Sequence, residues 1–218
     1  MGVEVGILGG TGPAGRGLAV RLAASGVAVA IGSRDEARAT EVAAGVVGRW
    51  PERELPIVGA DNAGAARRDI VVVATPWESA PATVRGVADA LDAKVVVSMA
   101  NALVKDGREM LAVIPPRGSV AAAVAAAAPR ALVSASFHHL PASEMEDLDS
   151  GLLGDVLVCS DHPEATSVTM ALIDAIEGLR PLDAGSLNQA AAIEAFTAVC
   201  VTLNIRHRVH STLRLAGI

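Results

Sequence analysis

The chain has 218 residues and a formal charge of −6, and half of its residues are apolar. That length suits one α/β domain with a real core, or one domain plus a small extension. An acidic chain with no Lys/Arg block is a poor binder of nucleic-acid backbones. Its four aromatics (Trp50, Trp77, Phe137 and Phe196, with no Tyr) offer no platform for stacking bases. Ala and Val dominate the apolar set, which suits close packing of helices on a sheet. Cys159 and Cys200 sit in apolar runs and read as buried free thiols. The run over residues 3–8 is short and lacks a basic flank, so it does not read as a signal peptide. Residues 120–128 are too few to span a bilayer and end at Pro129. The expectation is a cytoplasmic protein with neither a nucleic-acid nor a membrane partner.

In chain order, residues 3–8 read as a buried strand and 9–15 as a turn. Residues 14–25 follow at helical period, with Leu18, Leu22 and Ala23 on one face, and Gly26 ends that helix. A second strand covers 27–31, and Asp35 caps a helix running to residue 47. A loop at 52–56 leads to a short strand at 57–58. Asp61 opens a short helix before a strong strand over 69–74. Thr75-Pro76-Trp77 turns into a helix ending near 91, followed by a strand over 94–98. Residues 99–116 read as a long loop, 119–128 as a helix, 131–137 as a strand and 138–154 as a second long loop. A strand over 155–159, a helix over 162–176 and a strand over 179–182 precede a closing helix from 186 to about 215. Strands alternating with helices predict a Rossmann-type, doubly wound α/β fold with a mostly parallel sheet and a small C-terminal helical portion. Residues 1–150 form the dinucleotide-binding part and 151–218 a smaller portion, with no linker between them.

Gly10-Thr11-Gly12-Pro13-Ala14-Gly15 fits G-x-G-x-x-G. The pattern is weak alone, but here it follows a strand and opens a helix. Gly10 permits the tight turn, Gly12 lets backbone N–H groups approach a pyrophosphate, and Gly15 lets the helix pack on the strand. Pro13 has no N–H and a fixed φ, which suits the first helical turn. The remaining N–H groups and the helix dipole face an anion. An NAD site carries Asp or Glu at the end of the second strand to bind the ribose hydroxyls. This chain has Gly32-Ser33-Arg34 there, with Arg38 one helical turn later. A hydroxyl and two guanidinium groups bind a 2′-phosphate that a carboxylate would repel, which argues for NADP(H). The competing reading is a solvated helix face in which Arg34 and Arg38 pair with Asp35 and Glu41.

Five segments carry a family likeness: Leu8-Gly9-Gly10-Thr11-Gly12, Gly32-Ser33-Arg34, Thr75-Pro76-Trp77-Glu78, Phe137-His138-His139-Leu140-Pro141-Ala142, and Gly178-Leu179-Arg180-Pro181-Leu182-Asp183-Ala184-Gly185. Over nearly its whole length the chain resembles the NADPH-dependent reductases of coenzyme F420. The resemblance implies hydride transfer between carbon 4 of the nicotinamide and carbon 5 of the deazaflavin F420, held in a cleft that residues 151–218 help to complete. It implies NADP contacts from the turn (Gly10, Thr11, Gly12, Pro13, Ala14), from Ser33, Arg34 and Arg38 at the 2′-phosphate, from Trp77 and Pro81 as a wall, and from Ala142 near the nicotinamide amide. Pro81 has no N–H, so its contact is packing or its carbonyl. Met99, Ala100, Asn101, His138, His139 and Leu140 fall on the deazaflavin side, although residues 99–101 differ from the relatives in sequence.

Hydride transfer between stacked rings needs proximity, alignment and exclusion of water more than a nucleophile. His138 is expected to place one of the rings through a hydrogen bond, against the alternative of a histidine satisfied by nearby backbone. The family's deazaflavin carries a phosphate and a polyglutamate tail. Arg206, His207, Arg208, His210 and Arg214 crowd the predicted last helix and could receive that tail, face solvent or join a dimer contact. His207 and His210 have no carboxylate or Cys at ligand spacing, so no metal is expected. Ala195, Val199, Leu203 and Val209 suit a homodimer face. Two other functions stay open: an NADP-linked reductase of another small acceptor, and a non-enzymatic NADP-binding redox sensor. The first usually adds a larger helical domain, and the second has no need of two long loops at the sheet edge.

Overall fold

The computed structural model describes residues 2–218. The chain runs β1 (Glu4–Leu8), α1 (Pro13–Ala24), β2 (Ala28–Ser33), α2 (Glu36–Gly48), β3 (Ile57–Asp61), α3 (Asn62–Ala66), β4 (Ile70–Val73), α4 (Ala80–Arg85) and β5 (Val95–Ser98). It continues through β6 (Leu103–Asp106), β7 (Glu109–Ala112), α5 (Val120–Ala127), β8 (Leu132–Ala135) and α6 (Ala142–Glu146). β9 (Gly154–Ser160), α7 (Pro163–Asp174), β10 (Leu179–Asp183) and α8 (Ala190–His207) complete it. Eight strands form one sheet in the order β3-β2-β1-β4-β5-β8-β9-β10. Every neighbouring pair is parallel except β8–β9. The predicted doubly wound fold is therefore present, and β9 and β10, from beyond residue 150, extend the same sheet.

Alternation along the central strands feeds two cores. Val5 and Ile7 of β1 pack with Leu18 and Leu22 of α1 on one face. Leu8 packs with Val71, Val73, Val96 and Val124 on the other. Full burial of a leucine such as Leu18 or Leu22 stabilises by about 2 kcal/mol, which is what ties α1 to the strand that feeds it. Because β2 lies on one side of β1 and β4 on the other, the winding reverses at β1. In open α/β sheets, ligands bind at the carboxyl ends of the strands beside such a reversal.

Four expectations are corrected. Residues 99–116 are not a loop, because they hold the β6–β7 hairpin, paired from Leu103↔Ala112 to Asp106↔Glu109. Gly107, at φ 56°, supplies the left-handed turn position. The hairpin docks on α8, where Thr202 Oγ1 accepts from the Met110 N–H at 2.9 Å. The helix expected to reach residue 91 is broken into α4 and a 3-10 turn at Ala88–Leu91. The 138–154 segment contains α6, pinned to α1 by the Arg21 guanidinium, which donates to the carbonyls of Glu144, Met145, Asp147 and Ser150. Finally, the last helix stops at His207, with Arg208 left-handed at φ 56°. Arg208, Val209, His210 and Arg214 therefore lie in a returning tail and not on the helix.

That tail closes the sheet edge. The Leu213 carbonyl accepts from the Asp155 N–H at 2.8 Å. Arg180 of β10 grips the buried Asp155 carboxylate with two bonds, at 2.8 and 2.7 Å, and donates to the carbonyls of Leu215 and Ile218. These Arg180 bonds hold the Asp155 carboxyl down at about 2, against an ordinary 3.8. The depressed pKa contributes stability that is fully present above 3.8 and is lost as the pH falls through about 2. Asp155→Asn is thus expected to lower the melting temperature at neutral pH and to flatten its fall between pH 4 and 2. A pH series of thermal melts checks this, and parallel curves for the two proteins would contradict it.

Candidate functional site

A cleft of about 1500 Å³ opens at the carboxyl ends of β1, β2, β4 and β5, at the reversal in strand order. Its floor begins at the Gly-rich turn. Gly9 is left-handed at φ 70°. Gly10 is closed in on the protein side: its N–H donates to the carbonyls of Ile7 and Gly32, and a Cβ there would lie 2.9 Å from Ile7 O. A Cβ at Gly15 would lie 2.7 Å from the Gly10 Cα, so α1 can sit this close to the turn only with glycine there. Thr11, Gly12, Pro13 and Ala14 line the cleft, whereas Gly10 does not. Gly12 is the N-cap of α1, with no side-chain cap bond, and Pro13 follows it. The helix therefore presents its first N–H groups and positive dipole end to the cleft.

The end of β2 forms the next wall. Ser33, Arg34 and Arg38 all line it. Ser33 Oγ accepts from the Asp35 N–H at 3.2 Å, and Asp35 Oδ1 caps α2 by accepting from the Arg38 N–H at 3.2 Å. Asp35 also borders the cleft, but its carboxylate is engaged with the helix end. Among the described residues neither Arg34 nor Arg38 forms an ion pair. The pairing with Asp35 or Glu41 that would have made this an ordinary solvated face is not formed. Two guanidinium groups are left facing a cleft, which is the donor set a phosphate ester takes. The cradle at Gly10 and Gly15, the uncapped helix end and these arginines together fit NADP(H).

Met99, Ala100 and Asn101, after β5, line the opposite end. Asn101 Nδ2 donates to the His138 carbonyl at 2.9 Å. Here the protein buries polar atoms without a well-formed partner: Thr75 Oγ1, Ser98 Oγ, Asn101 Oδ1, His139 Nδ1 and both ring nitrogens of His138, whose ring rests on the backbone of Met99 and Ala100. Each such atom costs about 1–3 kcal/mol, and all six follow or end β4, β5 or β8. Burial, with the neighbouring His139 adding to it, pushes the His138 imidazole down to about 3, so it is neutral near pH 7. His139 is held differently, with Nε2–H donating to the Asp155 carbonyl at 2.8 Å and burial lowering its pKa. Phe137, fully buried, sits at φ 64° immediately before them. A left-handed non-glycine residue costs about 1–2 kcal/mol, which the surrounding packing must offset.

Several sequence-derived site residues lie outside the cleft lining. Trp77 packs on the second core, and Pro81, the second residue of α4, is not part of the cleft lining. The α4 wall is instead Ser79, Ala82, Thr83 and Gly86, spaced as one helical face. Ala142 backs onto Gly17 of α1, Leu140 is buried in the first core, and His138 and His139 lie behind the lining. Arg206 pairs with Glu109 of the hairpin. Sequence reading missed Thr75 and Asn62. Asn62 Oδ1 accepts from the Gly9 N–H at 3.3 Å and steadies the turn. Asn62 follows β3 directly and Thr75 lies two residues past β4, and that position at the carboxyl ends of strands was the available signal.

Residues 4–102 match the family described as NADP oxidoreductase, coenzyme F420-dependent. The F420-dependent NADP reductase of Methanocaldococcus jannaschii is 35% identical over 217 residues, 96% of each chain. The enzyme of the same name from Methanothermobacter marburgensis is 32% identical over 218 residues, again 96% of each chain. Among solved structures, a putative F420-dependent NADP-reductase from Arthrobacter sp. FB24 superposes with a TM-score of 0.82 at 26% identity, covering 99% of this chain and 100% of that one. With relatives of that identity spanning essentially the whole length, the chain belongs to the F420-dependent NADP reductase family.

Proposed function

We propose that this protein transfers a hydride between NADP(H) and the deazaflavin coenzyme F420 in the cytoplasm, as an oxidoreductase working on two small-molecule co-substrates. The observation that carries this reading is one cleft that combines an uncapped helix N-terminus with two unpaired guanidinium groups. Its volume of about 1500 Å³ exceeds the roughly 300–1,000 Å³ of a single-ligand site. When bound, NADPH supplies the hydride from nicotinamide carbon 4, and carbon 5 of the deazaflavin receives it.

The chain's own residues bind, orient and exclude water. Thr11, Gly12, Pro13 and Ala14 hold the pyrophosphate at the dipole end of α1. Ser33, Arg34 and Arg38 hold the 2′-phosphate. Met99, Ala100 and Asn101 border the ring end. His138, neutral and set against the backbone of Met99 and Ala100, positions the ring end of the cleft from behind the Asn101 region and does not act as an imidazolium acid. Trp77, Pro81, His139, Leu140 and Ala142 support these walls from behind, and Arg206 stands toward the acidic tail of the deazaflavin. A second copy of the chain covers the exposed apolar stripe of Ala195, Phe196, Val199 and Leu203 on α8. Among the described residues no helix is long and apolar enough to cross a membrane.

Mixing the protein with NADPH and oxidised F420 should bleach the deazaflavin's visible absorbance. Turnover only with other acceptors would favour a different reductase, and binding without turnover a sensor. Arg34→Ala should weaken NADP⁺ binding by about 10- to 100-fold, the worth of one charged hydrogen bond, and leave NAD⁺ binding nearly unchanged. Equal losses for both dinucleotides in fluorescence titrations would contradict the assignment. His138→Ala should slow turnover on the order of tenfold through lost positioning. Because the imidazole is neutral throughout, the ratio of wild-type to variant rates should stay flat from pH 5 to 8. An unchanged rate would remove His138 from the mechanism.

A further inference from the structure

We propose that Arg16 and Glu146 are positioning residues that tighten residues 138–150 when a dinucleotide phosphate occupies the turn. This inference rests on the reading of that turn as the NADP(H) site. Arg16 stands in the first turns of α1. Its Nη1 donates to the Thr11 carbonyl at 3.2 Å, inside the Gly-rich turn. Its Nε and Nη2 donate to the two oxygens of Glu146, at 3.1 and 3.2 Å. Glu146 ends α6, and its Oε1 also accepts from Arg49, just after α2, at 2.7 Å. The Glu146 side chain is only 12% exposed. A two-pronged pair so shielded from water is both stronger and more directional than a surface pair.

The rest of the contact shows which part is fixed. A Cβ on Gly17 would lie 2.7 Å from Met145 Cβ and 2.9 Å from the Ala142 carbonyl, so α1 and α6 meet almost backbone to backbone. Arg21, one turn further along α1, pins the end of the segment through four carbonyls. Arg21 touches nothing in the cleft, whereas Arg16 touches the turn itself. The segment thus has one permanent anchor and one anchor that senses the site.

The Thr11 carbonyl and the Gly12 N–H belong to a single planar peptide. That N–H makes a long bond, 3.3 Å, to the Gly9 carbonyl. It is a weakly held donor that an arriving phosphate competes for. Because the peptide is rigid, turning its N–H toward a phosphate turns the Thr11 carbonyl as well, and the Arg16 fork follows with Glu146. From α6 the chain runs back through Pro141 and Leu140 to His138, whose carbonyl is held by Asn101 of the cleft. The link joins the pyrophosphate end of the cleft to the ring end through protein.

Amide hydrogen exchange on the full-length protein, with and without saturating NADP⁺, tests this without reference to any acceptor. In the wild type, NADP⁺ should slow exchange over residues 138–150 by about threefold or more, as a local stabilisation. Glu146→Gln and Arg16→Met should each lose that NADP⁺-dependent difference, and the double variant should lose no more than either single one. Arg49→Met, which removes only the α2 contact, should keep it. A merely structural role would raise exchange equally with and without NADP⁺, and the difference would survive. Protection undiminished in both single variants, or NADP⁺ binding without protection of 138–150 in the wild type, overturns the link alone. Absence of NADP⁺ binding to the wild type overturns the reading of the turn and the link with it.

Discussion

The structure depends on keeping the N-terminus of α1 free of any protein cap while fixing its position. A side chain can satisfy the first N–H groups of a helix, as Asp35 does for α2 and Ser119 for α5. The helices α4, α6, α7 and α8 also lack such a cap, and what sets α1 apart is a glycine N-cap within the Gly-rich turn. At α1 the N-cap is Gly12, which has no side chain to give. The helix is held there by other means: leucines packed on β1, glycine contacts too close for any Cβ, and the Asn62 amide on the Gly9 N–H. The donors stay available because the fold, and not a cap, holds them in place. Strand order then puts that end at a reversal point, with β4 and β5 delivering Thr75 and Met99 to the same cleft.

A second constraint appears at the ring end. The protein leaves six buried polar atoms without well-formed partners around Thr75, Ser98, Asn101, His138 and His139, and it places Phe137 in a strained conformation beside them. Folding alone gives no reason to concentrate such unfavourable terms in one place. A site that completes its hydrogen bonding with a ligand gives one for Thr75 and Asn101, which line the cleft, while Ser98, His138 and His139 stand behind them. At the far edge of the sheet the logic is reversed: Asp155, Arg180 and the returning tail satisfy one another closely, which suits a seam with a structural task.

Much of this was legible in the sequence. The strand–turn–helix at Gly10–Gly15 and the substitution of Ser33-Arg34 for an acid are local patterns, read without knowledge of what packs where. Misreadings arose where tertiary contacts decide. The β6–β7 hairpin has strands of only four residues each, mostly exposed, and it holds because β7 docks on α8, so residues 99–116 read as a loop. The last helix looked longer because nothing in its composition announces the left-handed Arg208 or the Asn204 side chain that receives Ser211. Trp77 and Pro81 were drawn to the cleft by likeness, but the register of α4 turns Ser79, Ala82 and Thr83 toward it. The Gly178–Gly185 segment carried much of the family likeness, yet through Arg180 it serves the tail and not the cleft.

In the proposed reaction, hydride passes directly between two cofactors held in one cleft. The most direct test uses NADPH carrying deuterium at both positions of nicotinamide carbon 4, reacted with oxidised F420 in ordinary water. Mass spectrometry of the reduced deazaflavin should find deuterium at carbon 5. Reduced product without the label, with hydrogen drawn from solvent, would contradict the account.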